Sequence, residues 1–310
     1  MAYYGRRIGY RNSYGRRSPR GLFKILTVVI FIVAIVVAVL QTMRVQEISA
    51  SEKKLKTEMQ NLQTKLEKVQ SYVPLSILDG TSETAIAYQK LYPEMAVQRP
   101  ETLDKVDSRA IYLTFEGGPS KYTEDILDYL KSANQKATFF VNGQDISGNE
   151  SILKRIVNEG HTIGVCGYSD DYESVYESVE SFLADFDKAY NAIHEATGVY
   201  PSVFRFPKGS INKYNSGIYR ELIAEMTRRG FVYFDWNVNG DDEDGSDWET
   251  IAQDVANGVK KQDHPIVLLH DSSDNKQTAR AVKYMLNYLG KNGYYFENIK
   301  PTTPAVTFDY

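Results

Sequence analysis

The sequence predicts an α/β domain, a distorted (β/α) barrel of parallel strands wrapped by helices, preceded by a transmembrane helix and a short coiled-coil-like stalk helix. Three observations carry that expectation. From Ala110 onward, strand-like and helix-like segments alternate, the pattern of parallel strands joined by crossover helices. The strands are short apolar runs without polar alternation, so both faces should be buried, as in a barrel. Upstream, "LFKILTVVIFIVAIVVAVLQTM" at residues 22–43 is about as long as a bilayer-crossing helix.

Taken in order, residues 1–21 are a basic tail of Tyr, Gly and Arg with little to bury, expected to be disordered and drawn to anionic membrane lipid rather than to nucleic acid. Arg6, Arg7, Arg11, Arg16, Arg17, Arg20 and Lys24 come with no acid among residues 1–24, so the net charge of −4 combines a basic start with an acidic remainder. That bias orients the 22–43 span with its N-terminus in the cytoplasm and the rest outside. The run is long and lacks small residues at its end, which favours an uncleaved signal anchor in the cell membrane over a cleaved signal peptide. Ile48, Leu55, Met59, Leu62, Leu66, Val69 and Val73 keep the spacing of a coiled-coil seam, so 48–73 should be a stalk helix. Being short, it either forms a weak homodimer or stands solvated as a single helix. Pro74 ends it, and 74–108 reads as a linker.

The main domain is expected over 109–295, followed by a C-terminal tail at 296–310. Its strands are "AIYLTF", "ATFFV", "HTIGV", "SVFRF", "FVYFDW" and "PIVLLH". Between them lie helices, among them a long one whose apolar face runs from Tyr172 through Val175, Val179, Phe182, Phe186, Ala189 and Ile193. In parallel α/β folds the functional residues gather at the carboxyl ends of strands. That filter selects Glu116, Cys166 with Asp170, Arg205 with Lys208, Asp235 with Asn239 and Asp241, and His270 with Asp271. Cys166 is the single cysteine, which excludes an intramolecular disulfide and a cluster of cysteine ligands.

The series "TFEGGPS", "ATFFVNG", "GHTIGVCGYSDD", "FRFPKGS", "FDWNVNG" and "IVLLHD" resembles the polysaccharide deacetylase family, the NodB-homology domain, across roughly residues 108–295. The resemblance implies removal of N-acetyl groups from cell-wall amino sugars. It also implies a divalent metal, often zinc, held by an Asp and two His, with a second Asp as base and a late His as acid. Carried over by position, Glu116 stands for the base, Arg205 for the residue orienting it and His270 for the acid. Pro207, Lys208, Trp236 and Leu268 stand for the substrate groove. The three ligand positions hold Gly117, Cys166 and Asp170, none of them the usual ligand.

The resemblance with those substitutions implies a deacetylase-like protein that has lost metal-dependent hydrolysis and binds cell-wall glycan, with no cofactor expected. Two alternatives stay open: an active deacetylase with a rewired zinc site drawing on Cys166, Asp170, Glu116 and His270, and an envelope scaffold acting through the stalk. The Arg205–Glu116 ion pair reads equally as catalytic or structural, and Trp236 as groove wall or core. His161 is read as a packing residue, and His194 and His264 as surface or loop residues. Asn239 stands near an Asp that tunes the acid in the family, so tuning by charge is expected to be lost. "DDEDGSD" at 241–247 is read as a solvated acidic loop.

Overall fold

The computed structural model of the chain describes residues 40, 41, 44, 49, 53–57, 59, 60 and 86–308, apart from 244 and 275. Among the described residues no helix is long and apolar enough to cross a membrane. The expected 22–43 span lies outside them except for Leu40 and Gln41, and the 1–21 tail lies outside altogether. Of the expected stalk, residues 49, 53–57, 59 and 60 are helical, and Leu55 and Met59 there are exposed.

Eight parallel strands form one sheet: β1 (Ala110–Glu116), β2 (Thr138–Asn142), β3 (Thr162–Gly167), β4 (Val203–Phe204), β5 (Val232–Tyr233), β6 (Val238–Asn239), β7 (Ile266–His270) and β8 (Tyr295–Glu297). Their order is β5-β4-β3-β2-β1-β7-β6, with β8 paired to the start of β1. The helices are α1 (Thr123–Ser132), α2 (Glu150–Asn158), α3 (Tyr172–Val175), α4 (Val179–Thr197), α5 (Tyr219–Arg228), α6 (Trp248–Val259) and α7 (Lys276–Lys291).

Every residue of β1 is buried, and alternation explains how. Ile111, Leu113 and Phe115 point into the large core shared with Ile126, Leu127 and Leu130 of α1 and Met285 and Leu289 of α7. Ala110 and Tyr112 point the other way, into a smaller cluster with Phe140, Cys166, Val203, Phe234, Ile266 and Ile299. The sheet is therefore curled around a second, inner core.

The expected barrel is open at one seam. The edge strands β5 and β6 share no ladder, yet only residues 234–237 separate them, which limits the gap to roughly 18 Å at full extension. "FVYFDW" is accordingly not one strand. Phe234 N–H still bonds Phe204 O of β4 (3.0 Å), but Asn237 N–H bonds Ile266 O of β7 (3.1 Å), so the chain crosses the seam at Asp235 and Trp236. The expected long helix is also split. Asp171 caps α3 and Ser178 caps α4, each accepting from a backbone N–H three residues on, and these local bonds compete with a continuous helix.

Both flanks of 109–295 pack onto it. The buried Arg229 donates to Leu91 O (2.8 Å) and Tyr92 O (2.7 Å) and pairs with Glu225 (2.7 Å), which fixes the segment carrying the buried Met95. At the other end, Val306 O accepts from Asp235 N–H (2.9 Å), and Phe308 N–H donates to Asp235 Oδ2 (2.8 Å). Residues 304–308 thus lie along the seam between β5 and β6.

Candidate active site

The inner-face alternation that buries Ala110 and Tyr112 brings Glu116, the last residue of β1, to the carboxyl mouth. Its register partner is His270, the last residue of β7, so acid and base positions stand side by side on neighbouring strands. The turn after Glu116 is tight. Gly117 and Gly118 have φ of +87° and +70°, and a Cβ on Gly118 would fall 2.5 Å from Asp271 Oδ2. Asp271 also accepts from Ser120 and Thr123 hydroxyls, which fixes the start of α1 beneath the turn.

Arg205, fully buried, follows β4 and lies across the inner core with its guanidinium 4.6 Å from the Phe140 ring centre and 5.4 Å from that of Trp236. It donates from Nε to Phe234 O (2.9 Å) and from Nη2 to Asp235 O (3.3 Å). Nη1 faces Glu116 Oε2 at 4.0 Å, an ion pair beyond hydrogen-bond reach, and neither atom has another partner. Burial pulls the Arg205 pKa down, with Glu116 and Asp235 opposing. The other Glu116 oxygen accepts the backbone N–H of Lys208 (3.3 Å), whose φ is +65°. The backbone N–H of this expected groove position is therefore turned onto the carboxylate.

His270 retains a complete support. Nδ1 bonds Asp242 Oδ1 (2.8 Å), and Asp242 Oδ2 accepts from His270 N–H (2.9 Å) and the Thr278 hydroxyl (2.6 Å). Burial alone would lower the His270 pKa; the Asp242 bond and charge, with Glu116 and Glu243, outweigh it and hold the ring above the ordinary histidine value. This corrects two expectations. Tuning by charge is present, supplied by Asp242 rather than at Asn239, and the 241–247 loop is not uniformly solvated, because Asp242 is only 1% exposed. Glu243 then bridges the mouth, with Lys208 Nζ at 3.0 Å and His270 Nε2 at 3.6 Å.

The opposite wall is built differently. The buried Cys166 belongs to the inner core, and burial, then the Glu116 charge, pushes its thiol pKa up, so it is a neutral thiol. Asp170 accepts from Asn142 Nδ2 (2.9 Å), Gln144 Nε2 and the Tyr172 hydroxyl (3.2 Å). Gly117 offers no side chain. Among the described residues no group of three His, Cys, Asp or Glu is disposed to hold a metal ion. A site that needs convergent donors is not met by an absent side chain, a thiol packed into the inner core and a carboxylate already satisfied by three donors. The residues present do not fit the family's metal.

Pro207 is buried, and its carbonyl accepts the Tyr176 hydroxyl (2.8 Å). Leu268 is buried on the same face of β7 as His270, and the half-buried Trp236 packs edge-on against Phe308 at 4.9 Å. The remaining histidines sit outside the mouth. His161 Nδ1 accepts Ala137 N–H (3.2 Å), and burial lowers its pKa to about 4. His194 stacks on Tyr200 at 3.6 Å. His264 is half-buried and bonds Pro304 O (2.8 Å), so it helps hold the C-terminal segment.

The carboxyl mouth of a curled parallel sheet thus carries a buried carboxylate, a buried arginine facing it and an Asp-supported histidine. Residues 104–227 match the family model described as polysaccharide deacetylase. A peptidoglycan-N-acetylglucosamine deacetylase of Bacillus cereus is 30% identical over 216 residues, spanning 66% of this chain and 74% of that protein. Peptidoglycan-N-acetylglucosamine deacetylase PgdA of Listeria monocytogenes is 31% identical over 227 residues, spanning 73% of this chain and 46% of its own length. Among solved structures, the catalytic domain of peptidoglycan N-acetylglucosamine deacetylase from Eubacterium rectale superposes with a TM-score of 0.64 at 31% identity, covering 68% of this chain and 97% of that one. The chain belongs to the polysaccharide deacetylase family.

Proposed function

We propose that this chain is a membrane-anchored, extracytoplasmic member of the family that has lost metal-dependent de-N-acetylation and binds cell-wall glycan at its mouth. The observation that carries the reading is the state of the three ligand positions: Gly117 has no side chain, Cys166 is packed as a thiol, and both oxygens of Asp170 are occupied. Without an ion, nothing in the mouth polarises an amide carbonyl or lowers the pKa of water. The reading is supported by the Asp242 partner of His270 at the mouth and by the half-buried Trp236 on the same inner face. The names of the relatives point to peptidoglycan as the glycan.

Anchoring rests on the apolar 22–43 run and the basic residues before it. The exposed Leu55 and Met59 of the stalk are available to a second copy.

The test uses full-length protein on purified cell wall and on chitooligosaccharides. Binding without release of acetate is expected. Acetate release abolished by Glu116→Ala would show that catalysis persists, and absence of binding would remove the glycan role.

A further inference from the structure

Away from the mouth, α6 and α7 pack side by side and leave between them a trough of about 380 Å³. Its floor is Ala252 and Ala256, one helical turn apart on α6, whose small side chains leave the space open. Along it stand three rings. Trp248 lies 5.4 Å from Tyr284, and Tyr284 lies 5.7 Å from Tyr288 with the ring planes within 10° of each other. Tyr284 is 46% exposed, a large share for a ring not needed by the core. Gln253, Asn257 and Lys260 stand exposed on the α6 side of the same trough.

That composition matches one ligand chemistry. A pyranose ring presents an apolar C–H face and a rim of equatorial hydroxyl and amide groups; the face packs on an aromatic ring, and the rim takes hydrogen bonds from side-chain amides and ammonium groups. A purely apolar partner would leave Gln253 and Asn257 unpaired and bury the charge of Lys260, which lies over the Tyr288 ring, and a nucleic acid would meet Glu249 on the same wall. The Trp248 end of the trough is tied to the mouth through the chain. Trp248 opens α6 directly after the loop carrying Asp242 and Glu243, while Thr278, one turn into α7, holds Asp242.

We propose that the α6–α7 trough is a second glycan-binding site, which takes a β-linked hexosamine chain running outward from the mouth. The inference rests on the glycan-binding reading above and adds a subsite remote from the acid and base positions. It requires no chemistry, only stacking on Trp248, Tyr284 and Tyr288 and hydrogen bonds from the α6 amides.

The chain contains two tryptophans, Trp236 at the mouth and Trp248 in the trough, so each site has its own fluorescent reporter. In full-length Trp236→Phe protein purified in detergent, chitohexaose should produce a saturable change in Trp248 emission. Tyr284→Ala added to that background should weaken the response about tenfold, equivalent to about 1.4 kcal/mol. Tyr284→Phe should preserve it, and because Tyr284 is half-exposed, an unchanged melting curve separates lost stacking from lost folding. An unresponsive Trp248 beside a responsive Trp236 in the Trp248→Phe protein would overturn the trough site and leave glycan binding at the mouth standing. No response from either tryptophan would overturn both.

Discussion

The two walls of the mouth have diverged in opposite directions. On the β7 wall, His270 keeps a buried aspartate, a threonine behind that aspartate and a pKa above the ordinary value. On the β3 wall, Cys166 has joined the inner core and Asp170 is bound by three donors. Between them Glu116 remains buried against Arg205. A domain decaying as a whole would loosen both walls. Here one wall holds an Asp-supported histidine and the other is well-satisfied structure at the positions of the family's ligands, so under the proposed function the loss is local to the ion.

Several substitutions can break or sharpen that contrast. The largest effect is expected at the shared base: Arg205→Ala leaves Glu116 buried without a counter-charge and should cost about 3–5 kcal/mol in urea unfolding. Arg205→Met with Glu116→Gln removes both charges and should recover most of that loss; equal destabilisation by the two variants would mean that packing, not charge, holds the pair.

Next in size is an acid-limb effect on the β3 side. His161 precedes β3 with a folded pKa of about 4 against an ordinary 6.5, so the unfolded chain binds more protons between those values. Its contribution is therefore present above pH 6.5 and is lost as pH falls toward 4, by roughly 3 kcal/mol. His161→Gln should flatten that limb of the stability–pH profile. An unchanged limb would assign the acid sensitivity to carboxylates instead.

On the β7 wall, Asp242→Asn removes the bond and charge that raise the His270 pKa and should lower it, read by NMR titration. The sign for stability is opposite to that of His161: with its folded pKa raised, the His270 contribution is complete below the unfolded value and lost as pH rises through the folded one. The smallest effect is expected at Asp170→Asn, because an amide oxygen can still accept from Asn142 and Tyr172; a loss within about 1 kcal/mol is expected. A much larger loss would give the Asp170 charge a role beyond accepting these bonds.

Much of this was legible in the sequence for a definite reason. Parallel strands share one carboxyl end, so Glu116 and His270, each closing an apolar run, could be placed at one mouth from the strand pattern. Loops carry no such period. Asp242 lies in "DDEDGSD", whose composition reads as solvated, and its burial follows only from the reach of that loop to His270 N–H and Thr278. The split between α3 and α4 was signalled by Ser178, a capping residue inside an apolar pattern that otherwise continues. The seam crossing was hidden because "FVYFDW" has strand composition throughout, while the turn is set by Asp235, which accepts from Ser210 and Phe308, residues distant in sequence. Residues 296–308 looked like a tail for the same reason: Ile299 N–H finds Thr138 Oγ1 (2.8 Å), a pairing that local pattern does not encode.

Under the proposed function, the β3 wall leaves the mouth without metal-dependent hydrolysis. Its most direct test is to load full-length protein with zinc, remove unbound ion, and measure bound metal and acetate released from peptidoglycan on the same sample. No stoichiometric zinc and no acetate above the Glu116→Ala background are expected. One bound ion per chain together with acetate release that disappears in Glu116→Ala would contradict it.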